Sequence, residues 1–351
     1  MHMADALISP AVGGTLWVAA GGCMAFCARK VAQTPRDNLV PMMGVLAAFI
    51  FAAQMINFSI PGTGSSGHLG GGLILAILLG PYAAFIAIAS VLTVQALFFA
   101  DGGLLALGCN IINLGFFPAF VAYPLIYRPV ARGWYATRRA WVAAILAAVA
   151  GLQMGAFSVV AQTQASGITE LPFGTFLLVM LPIHLAIGVV EGLATASVVS
   201  FVAKARPEAL PVAATECAAG GLRPVLAGLA MAALVLGGVA SWFASSRPDG
   251  LEWSMFRVSG RAELDAPADG IHHTLAGVQE QTAFLPDYEF KAAGAGHGEA
   301  KPAEPSPPSW PAVSAGTSVS GIVGGLITLV LTGLAGLGLK TRNLQRASGN
   351  G

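Results

Sequence analysis

The sequence predicts an all-α polytopic membrane protein, a bundle of seven helices followed by a two-helix module around an extracytoplasmic segment, and three observations predict it. Of 351 residues, 55% are hydrophobic and 10% charged, whereas a soluble domain carries about 25% charged residues. Apolar stretches recur near 11–28, 39–58, 69–80, 82–100, 104–127, 140–163, 174–203, 222–243 and 317–339, long enough to cross the roughly 30 Å hydrocarbon layer alone or as two shorter helices. Thirteen of the eighteen Lys and Arg fall on alternate connections, the bias that marks cytoplasmic loops.

Taken in order, the first seven stretches form one block. Between the third and fourth, Gly80 and Pro81 interrupt the apolar pattern, so two helices or one kinked helix would both satisfy it. The 44 glycines suit helices that pack closely in lipid. Arg29, Lys30 and Arg36, then Arg128, Arg132, Arg138 and Arg139, then Lys204, Arg206 and Arg223, and finally Lys340, Arg342 and Arg346 share one side if the N-terminus is extracytoplasmic. The remaining five basic residues lie in the long segment 244–316, and long segments cross regardless of charge. Residues 206–221, rich in Pro, Ala and Gly, read as a linker between a domain at 1–205 and a module at 222–346, whose helices at about 222–243 and 317–339 flank that outer segment. The middle of the outer segment, "GAGHGEAKPAEPSPPSWP", has the composition of disordered chain. Its start, "SSRPDGLEWS", does not.

The stretch "MHMADALISP" lacks the basic n-region of a secretory signal, since the first Lys or Arg is Arg29. The start is therefore expected to be retained, with His2 beside the terminal amine. His68 sits in the Gly/Ser-rich stretch "SSGHLGGG", which leaves the second helix on the same side of the membrane. The Met1 amine, the His2 amide nitrogen and the His2 ring Nδ1 close a five-membered and a six-membered chelate ring around one ion, and His68 is the candidate for a fourth nitrogen. Four coplanar nitrogens favour Ni(II) or Cu(II), with Co(II) accepted less ideally; zinc prefers a tetrahedron. The amine and the amide must both lose protons, so binding of this kind weakens as pH falls. A lone loop histidine that only bonds a nearby carbonyl is the plainer reading of His68.

Together, "MHMADALISP", "NFSIPGTGSSGHLGGGLILAILLGPYAAF", "VQALFFADGGLLALGCNIINLG" and "HLAIGVVEG" closely resemble the substrate-capture membrane subunit, or S component, of cobalt and nickel energy-coupling-factor transporters. The resemblance covers roughly residues 1–205. It implies that Met1, His2 and His68 hold the transported Ni2+ or Co2+, that no cofactor is needed, and that two cytoplasmic ATPase subunits and a transmembrane coupling subunit are partners. The last block, through "PDGLE" at 248–252 and "FLPDYEF" at 284–290, resembles the small auxiliary subunit of the same systems, here fused to the capture subunit and implied to help load metal. A bacterial plasma (inner) membrane location follows from the same resemblance.

Polar residues inside apolar helices are costly and often functional. Asn57, Gln95, Asp101 and Asn110 are candidates to orient the metal-binding residues, with Gln54 and Asn113 nearby in the pattern; bonding that merely holds the bundle explains the amides equally well, and a turn role explains Asp101. His184 and Glu191, seven apart on one helical face, suggest a structural or coupling role against a partner helix. An intramembrane His/Glu enzyme and a stand-alone secondary metal transporter are the alternatives; the pair lacks the i, i+4 histidines of a metalloprotease. No GxxxxGK[ST] phosphate loop occurs, so ATP hydrolysis belongs on other chains, and nothing points to nucleic acid. Cys23 and Cys27 read as packing residues or, less simply, as a soft metal relay. His272, His273 and His297 read as solvated or locally bonded histidines or as metal-delivery residues. Nickel and cobalt are not distinguished by these residues.

Overall fold

The computed structural model describes residues 2–33, 38–206, 210, 222–291 and 310–348. Met1, Arg36, Cys217, His297, most of the 206–221 linker and the centre of the outer segment lie outside the described residues.

The first block forms α1 (Pro10–Gln33), α2 (Leu39–Gln54), α3 (Gly72–Leu79), α4 (Pro81–Phe99), α5 (Leu107–Ala131), α6 (Arg138–Ser166) and α7 (Phe173–Ala205). The second contributes α8 (Arg223–Gly238) and the long α11 (Ala315–Ser348), with two shorter helices between them, α9 (Gly250–Ser259) and α10 (Gly270–Thr282). Among the described residues, six helices are long and apolar enough to span a membrane, while α2 and α8 are apolar but shorter. The chain is a multi-pass membrane protein. Both α9 and α10 arise in the segment 244–316, where the apolar pattern predicts no helix.

Local chemistry explains several boundaries. Gly80 adopts φ 85°, and Pro81 occupies the first turn of α4. A positive φ ends α3, and a residue without an amide donor starts α4 at no hydrogen-bond cost. The two stretches are thus separate helices rather than one kinked helix. Thr137 caps α6 by accepting from the Ala140 amide at 3.3 Å. Pro118 and Pro124 lie inside α5, which takes wider π turns over Ile112–Tyr127.

The short α3 is wholly buried, and α2 and α4 nearly so. They form the centre of the bundle, with α5, α6 and α7 on one side, the C-terminal helices on the other, and α1 packed on α4, the start of α5 and α11. α11 lies along α2 and α4, and α8 packs against α2 and α11, so the second block is built onto the first. Large apolar side chains such as Val18, Leu178, Met231 and Leu334 point outward, as expected where lipid replaces water. Cys23 and Cys27 carry free thiols in α1, with Cys27 buried in the core and Cys23 packed against it.

The connection from α2 to α3 is pinned by a two-residue ribbon, β1 (Phe58–Ser59) antiparallel to β2 (Ser66–Gly67), with Phe58 opposite Gly67 and Ser59 opposite Ser66. His68 follows β2 directly. Four residues on, Gly72 opens α3 where a Cβ would stand 2.3 Å from the Leu114 carbonyl oxygen and 3.1 Å from Pro118. Because the obstruction includes backbone, a side chain there forces helices apart. Gly72→Val is expected to cost about 1–3 kcal/mol or more and to lower the thermal unfolding midpoint of the detergent-solubilised protein by several degrees, whereas Gly174→Val, in open space, leaves it unchanged.

Candidate metal-capture site

Chain termini usually fray unless something ties them down, and here several groups do. Met3, Leu7 and Ile8 are fully buried. Asn110 of α5 holds Met3 by both ends of its amide: Oδ1 accepts from the Met3 amide at 2.8 Å, and Nδ2 donates to the Met3 carbonyl at 3.2 Å. The Gly103 amide donates to the same carbonyl at 2.9 Å. Asp5 Oδ1 accepts from the Ala106 amide at 2.9 Å, just ahead of α5. From the auxiliary module, His272 Nε2 donates to the Ile8 carbonyl at 2.9 Å.

These contacts fix His2. Its side chain is 7% exposed, its Nδ1 donates to Asp101 Oδ1 at 2.8 Å, and its ring stacks on that of His68 with centroids 5.0 Å apart and 13° between planes. The nitrogen facing Asp101 is the one the chelate reading needs, so binding an ion there requires Nδ1 to leave Asp101. Among the described residues no three His, Cys, Asp or Glu side chains converge on one point. His2 Nε2 is buried without a hydrogen-bond partner among those residues.

His68 donates Nδ1–H to the Leu69 carbonyl at 3.1 Å, leaving an electron pair on Nε2. Burial pushes its pKa down to about 3, so the ring is neutral at ordinary pH and fit to bind a metal. Burial opposes charge on Asp101, but the His2 ring and the Tyr288 hydroxyl outweigh it and hold the carboxyl well below the usual carboxylate range. Burial and Asp101 push the Tyr288 phenol well above its ordinary pKa, so it remains a donor to Asp101.

The other candidates fall in three places. Gln54 and Gln95 bond each other at 2.9 Å, and Gln54 Nε2 donates to the Gly70 carbonyl at 2.9 Å, tying α2 and α4 to the His68 loop. Asn57 borders the cavity above the histidines and accepts the Ser245 amide on its carbonyl at 2.7 Å. Asn113 pairs with Gln162 of α6 and touches the Met3 sulfur. Glu191 and His184 sit on the inner face of α7. Glu191 accepts from the Gly70 and Gly71 amides, both at 3.0 Å, and His184 Nδ1 donates to the Met180 carbonyl at 2.8 Å. Both are buried inside this chain, and Glu191 is a clamp on the loop that carries His68.

Sequence reasoning missed the residues that the outer segment brings over this site. Asp249 Oδ2 stands 3.9 Å from His68 Nε2. Asp249 and Glu252 form a reciprocal cap on α9, and the D-x-x-E spacing of "PDGLE" is the signal that marks such a helix start. The Ser66 amide and hydroxyl donate to the Pro248 and Arg247 carbonyls at 2.8 and 2.7 Å. Gln279 Nε2 donates to the Ala96 and Gly102 carbonyls, each at 2.8 Å. A cavity of about 600 Å3 remains between the modules, bordered by His2, His68, Asp101, Asp249, His272 and Tyr288. His273 is exposed.

The fold and the site define a multi-pass membrane protein whose buried N-terminal segment meets a loop histidine. Residues 2–209 match the family described as cobalt uptake substrate-specific transmembrane region, and residues 223–341 match the PDGLE domain; the chain belongs to the cobalt uptake substrate-specific transmembrane family, with a PDGLE domain joined to it. A protein of Archaeoglobus fulgidus, provisionally named a fused nickel transport protein, is 37% identical over 218 residues, 60% of this chain and 68% of that one. The cobalt transport protein of Geobacter sulfurreducens is 30% identical over 239 residues, 67% of this chain and 68% of that one. A crystal structure of a truncated transition metal transporter matches with a TM-score of 0.51 at 29% identity, over 58% of this chain and 99% of that one.

Removing the Asn110 amide takes away two of the bonds that anchor Met3, each worth about 0.5–1.5 kcal/mol. Asn110→Ala is therefore expected to speed hydrogen exchange of the Met3 amide about tenfold or more, read on the N-terminal peptide, while peptides from α7 exchange as before.

Proposed function

We propose that this chain is the substrate-capture component of an ATP-driven energy-coupling-factor importer and that its cargo is Ni2+ or Co2+. The observation that carries the reading is the burial of His2 against His68, with rings 5.0 Å apart, in a setting that the Met3 anchor builds. The Met1 amine, the His2 amide and Nδ1, and His68 Nε2 supply the four nitrogens. The names of the relatives supply the choice of metals.

In this reading Asp101 has two partners in turn. With the site empty it takes the His2 Nδ1–H; with an ion bound, Nδ1 turns to the metal and Asp101 keeps the Tyr288 hydroxyl. Asn110 positions the chelating segment, and Glu191, Gln54 and Gln95 position the loop. Residues 1–205 form the capture domain, 206–221 a linker, and 222–346 the auxiliary module. The N-terminus faces outward from a bacterial inner membrane, following the distribution of Lys and Arg. ATP is hydrolysed on two separate cytoplasmic subunits, and a transmembrane coupling subunit transmits the work that releases the ion inward.

The amino terminus is the sensitive point. One residue added before Met1, or acetylation of its amine, is expected to abolish nickel binding by isothermal titration without changing helix content, because the amine is lost and the chelate rings no longer close. An unchanged nickel affinity would overturn the reading. His68→Ala removes one nitrogen of four and is expected to weaken binding at least tenfold without abolishing it.

A further inference from the structure

A second cavity, of about 280 Å3, lies at the end of α5 remote from the histidines. The helix passes Asn110 beside the Met3 anchor and reaches Tyr127 seventeen residues later, about 25 Å along its axis. The cavity wall is aromatic. Tyr123 and Tyr127 stack with centroids 6.0 Å apart and 22° between planes, and Tyr135 comes from the turn that follows. Tyr127 is buried, and its hydroxyl has no hydrogen-bond partner among the described residues. A buried hydroxyl without a partner calls for one, and the cavity that Tyr127 lines is where a partner fits.

The rim is cationic. Arg128 and Arg132 border the cavity, both exposed and neither in an ion pair among the described residues. No Asp or Glu occurs between Asp101 and Glu170, so this stretch of chain supplies no counter-charge. Arg132 takes φ 51° ahead of Gly133 at 82°, a left-handed conformation that is uncommon outside glycine and persists where the surroundings hold it. Here they do: the Arg132 amide donates to the Arg128 carbonyl and the Trp134 amide to the Ala131 carbonyl, each at 3.0 Å, and the Ser200 hydroxyl of α7 donates to the Tyr135 carbonyl at 3.3 Å. Burial and Tyr123 push the Tyr135 phenol up to about 12 against the pull of Arg128, so it stays a donor.

Guanidinium groups hold phosphate through paired N–H donors, and the phenols add hydroxyls. Depth selects the source of the phosphate. Leu125 on α5 and Trp134 in the turn are both exposed; the first suits hydrocarbon and the second the headgroup level of a bilayer. A phosphate at that level is one that carries acyl chains. A zwitterionic headgroup also brings an ammonium, which two arginines repel, whereas an anionic headgroup brings only the charge they attract.

We propose that this cavity is a headgroup site for an anionic phospholipid, with the phosphate held by Arg128 and Arg132 over the tyrosine wall. By the distribution of Lys and Arg it faces the cytoplasmic leaflet. The inference stands apart from the capture reading, because it uses neither histidine and no metal.

The test uses the full chain in a non-ionic detergent, with native mass spectrometry counting bound lipid as phosphatidylglycerol or phosphatidylcholine is added. Two double variants are compared. Arg128→Gln with Arg132→Gln removes the rim; Arg138→Gln with Arg139→Gln removes the same charge from the start of α6, outside the cavity lining. The thermal unfolding midpoint without lipid checks the fold. The wild type is expected to bind one phosphatidylglycerol about tenfold or more tightly than phosphatidylcholine. The rim variant is expected to lose that preference, the α6 variant to keep it, and inorganic phosphate in excess to leave the lipid bound. Equal affinity for the two lipids in the wild type would overturn the inference. Equal losses in the two double variants would also overturn it, since attraction is then surface charge and not a site. Displacement by inorganic phosphate would make the cavity a site for free anions and overturn the lipid assignment. Should the rim variant fail to fold, Arg132→Lys carries the comparison: it keeps the charge and loses the paired donors, and an unchanged preference for phosphatidylglycerol would count against the site.

Discussion

Asn110 grips the Met3 backbone through both ends of its side-chain amide, and the position of His2 follows from that grip. A polypeptide terminus has little of its own to hold it in place, so a site that uses one must spend interior polar groups to anchor it. The helices supply those groups: Asn110 and Asn113 from α5, Gln162 from α6, and the Asp5 carboxylate from the segment itself. The three amides are buried and Asp5 is partly so, and each finds a partner within the chain. In a lipid environment such groups have no water to fall back on, so pairing them favours one arrangement over any looser one.

The loop that carries His68 is held by a different set. Glu191 accepts two glycine amides, Gln54 donates to a third backbone group, and Gln95 fixes Gln54. Three helices, α2, α4 and α7, thereby converge on a stretch rich in glycine that has few side chains to pack. A carboxylate that satisfies two backbone donors does for the loop what a helix cap does for a helix end. The two histidines arrive at one place from independent supports, and their stacking is the consequence.

The PDGLE module closes this arrangement from the outer segment. It touches the N-terminal segment through His272, the Asp101 turn through Tyr288 and Gln279, and the His68 loop through Pro248 and Asp249. Its two apolar helices pack on α2 and α4, so the outer contacts are held by a large apolar interface. The groups around the two histidines and the helix packing are thus parts of one structure: moving α11 on α2 would move the groups that border the cavity.

Apolar run length by itself determined the helical class and where the apolar helices fall, because crossing hydrocarbon demands length and low charge and leaves little freedom. The Gly80–Pro81 step marked a boundary but left two helices and one kinked helix open; the positive φ of Gly80 chose between them. The Lys and Arg pattern predicts His2 and His68 on one side of the membrane, and the structure stacks their rings. Only the tertiary structure decided that His2 Nδ1 rests on Asp101, that Glu191 clamps the His68 loop rather than facing outward, and that His272 locks the N-terminal segment. It also decided that α9 and α10 fold over the site, since amphipathic helices in a polar segment carry no hydropathy signal strong enough to stand out. These are contacts between residues far apart in the sequence. Local pattern registers what a segment must bury, and only the folded chain registers what it is buried against.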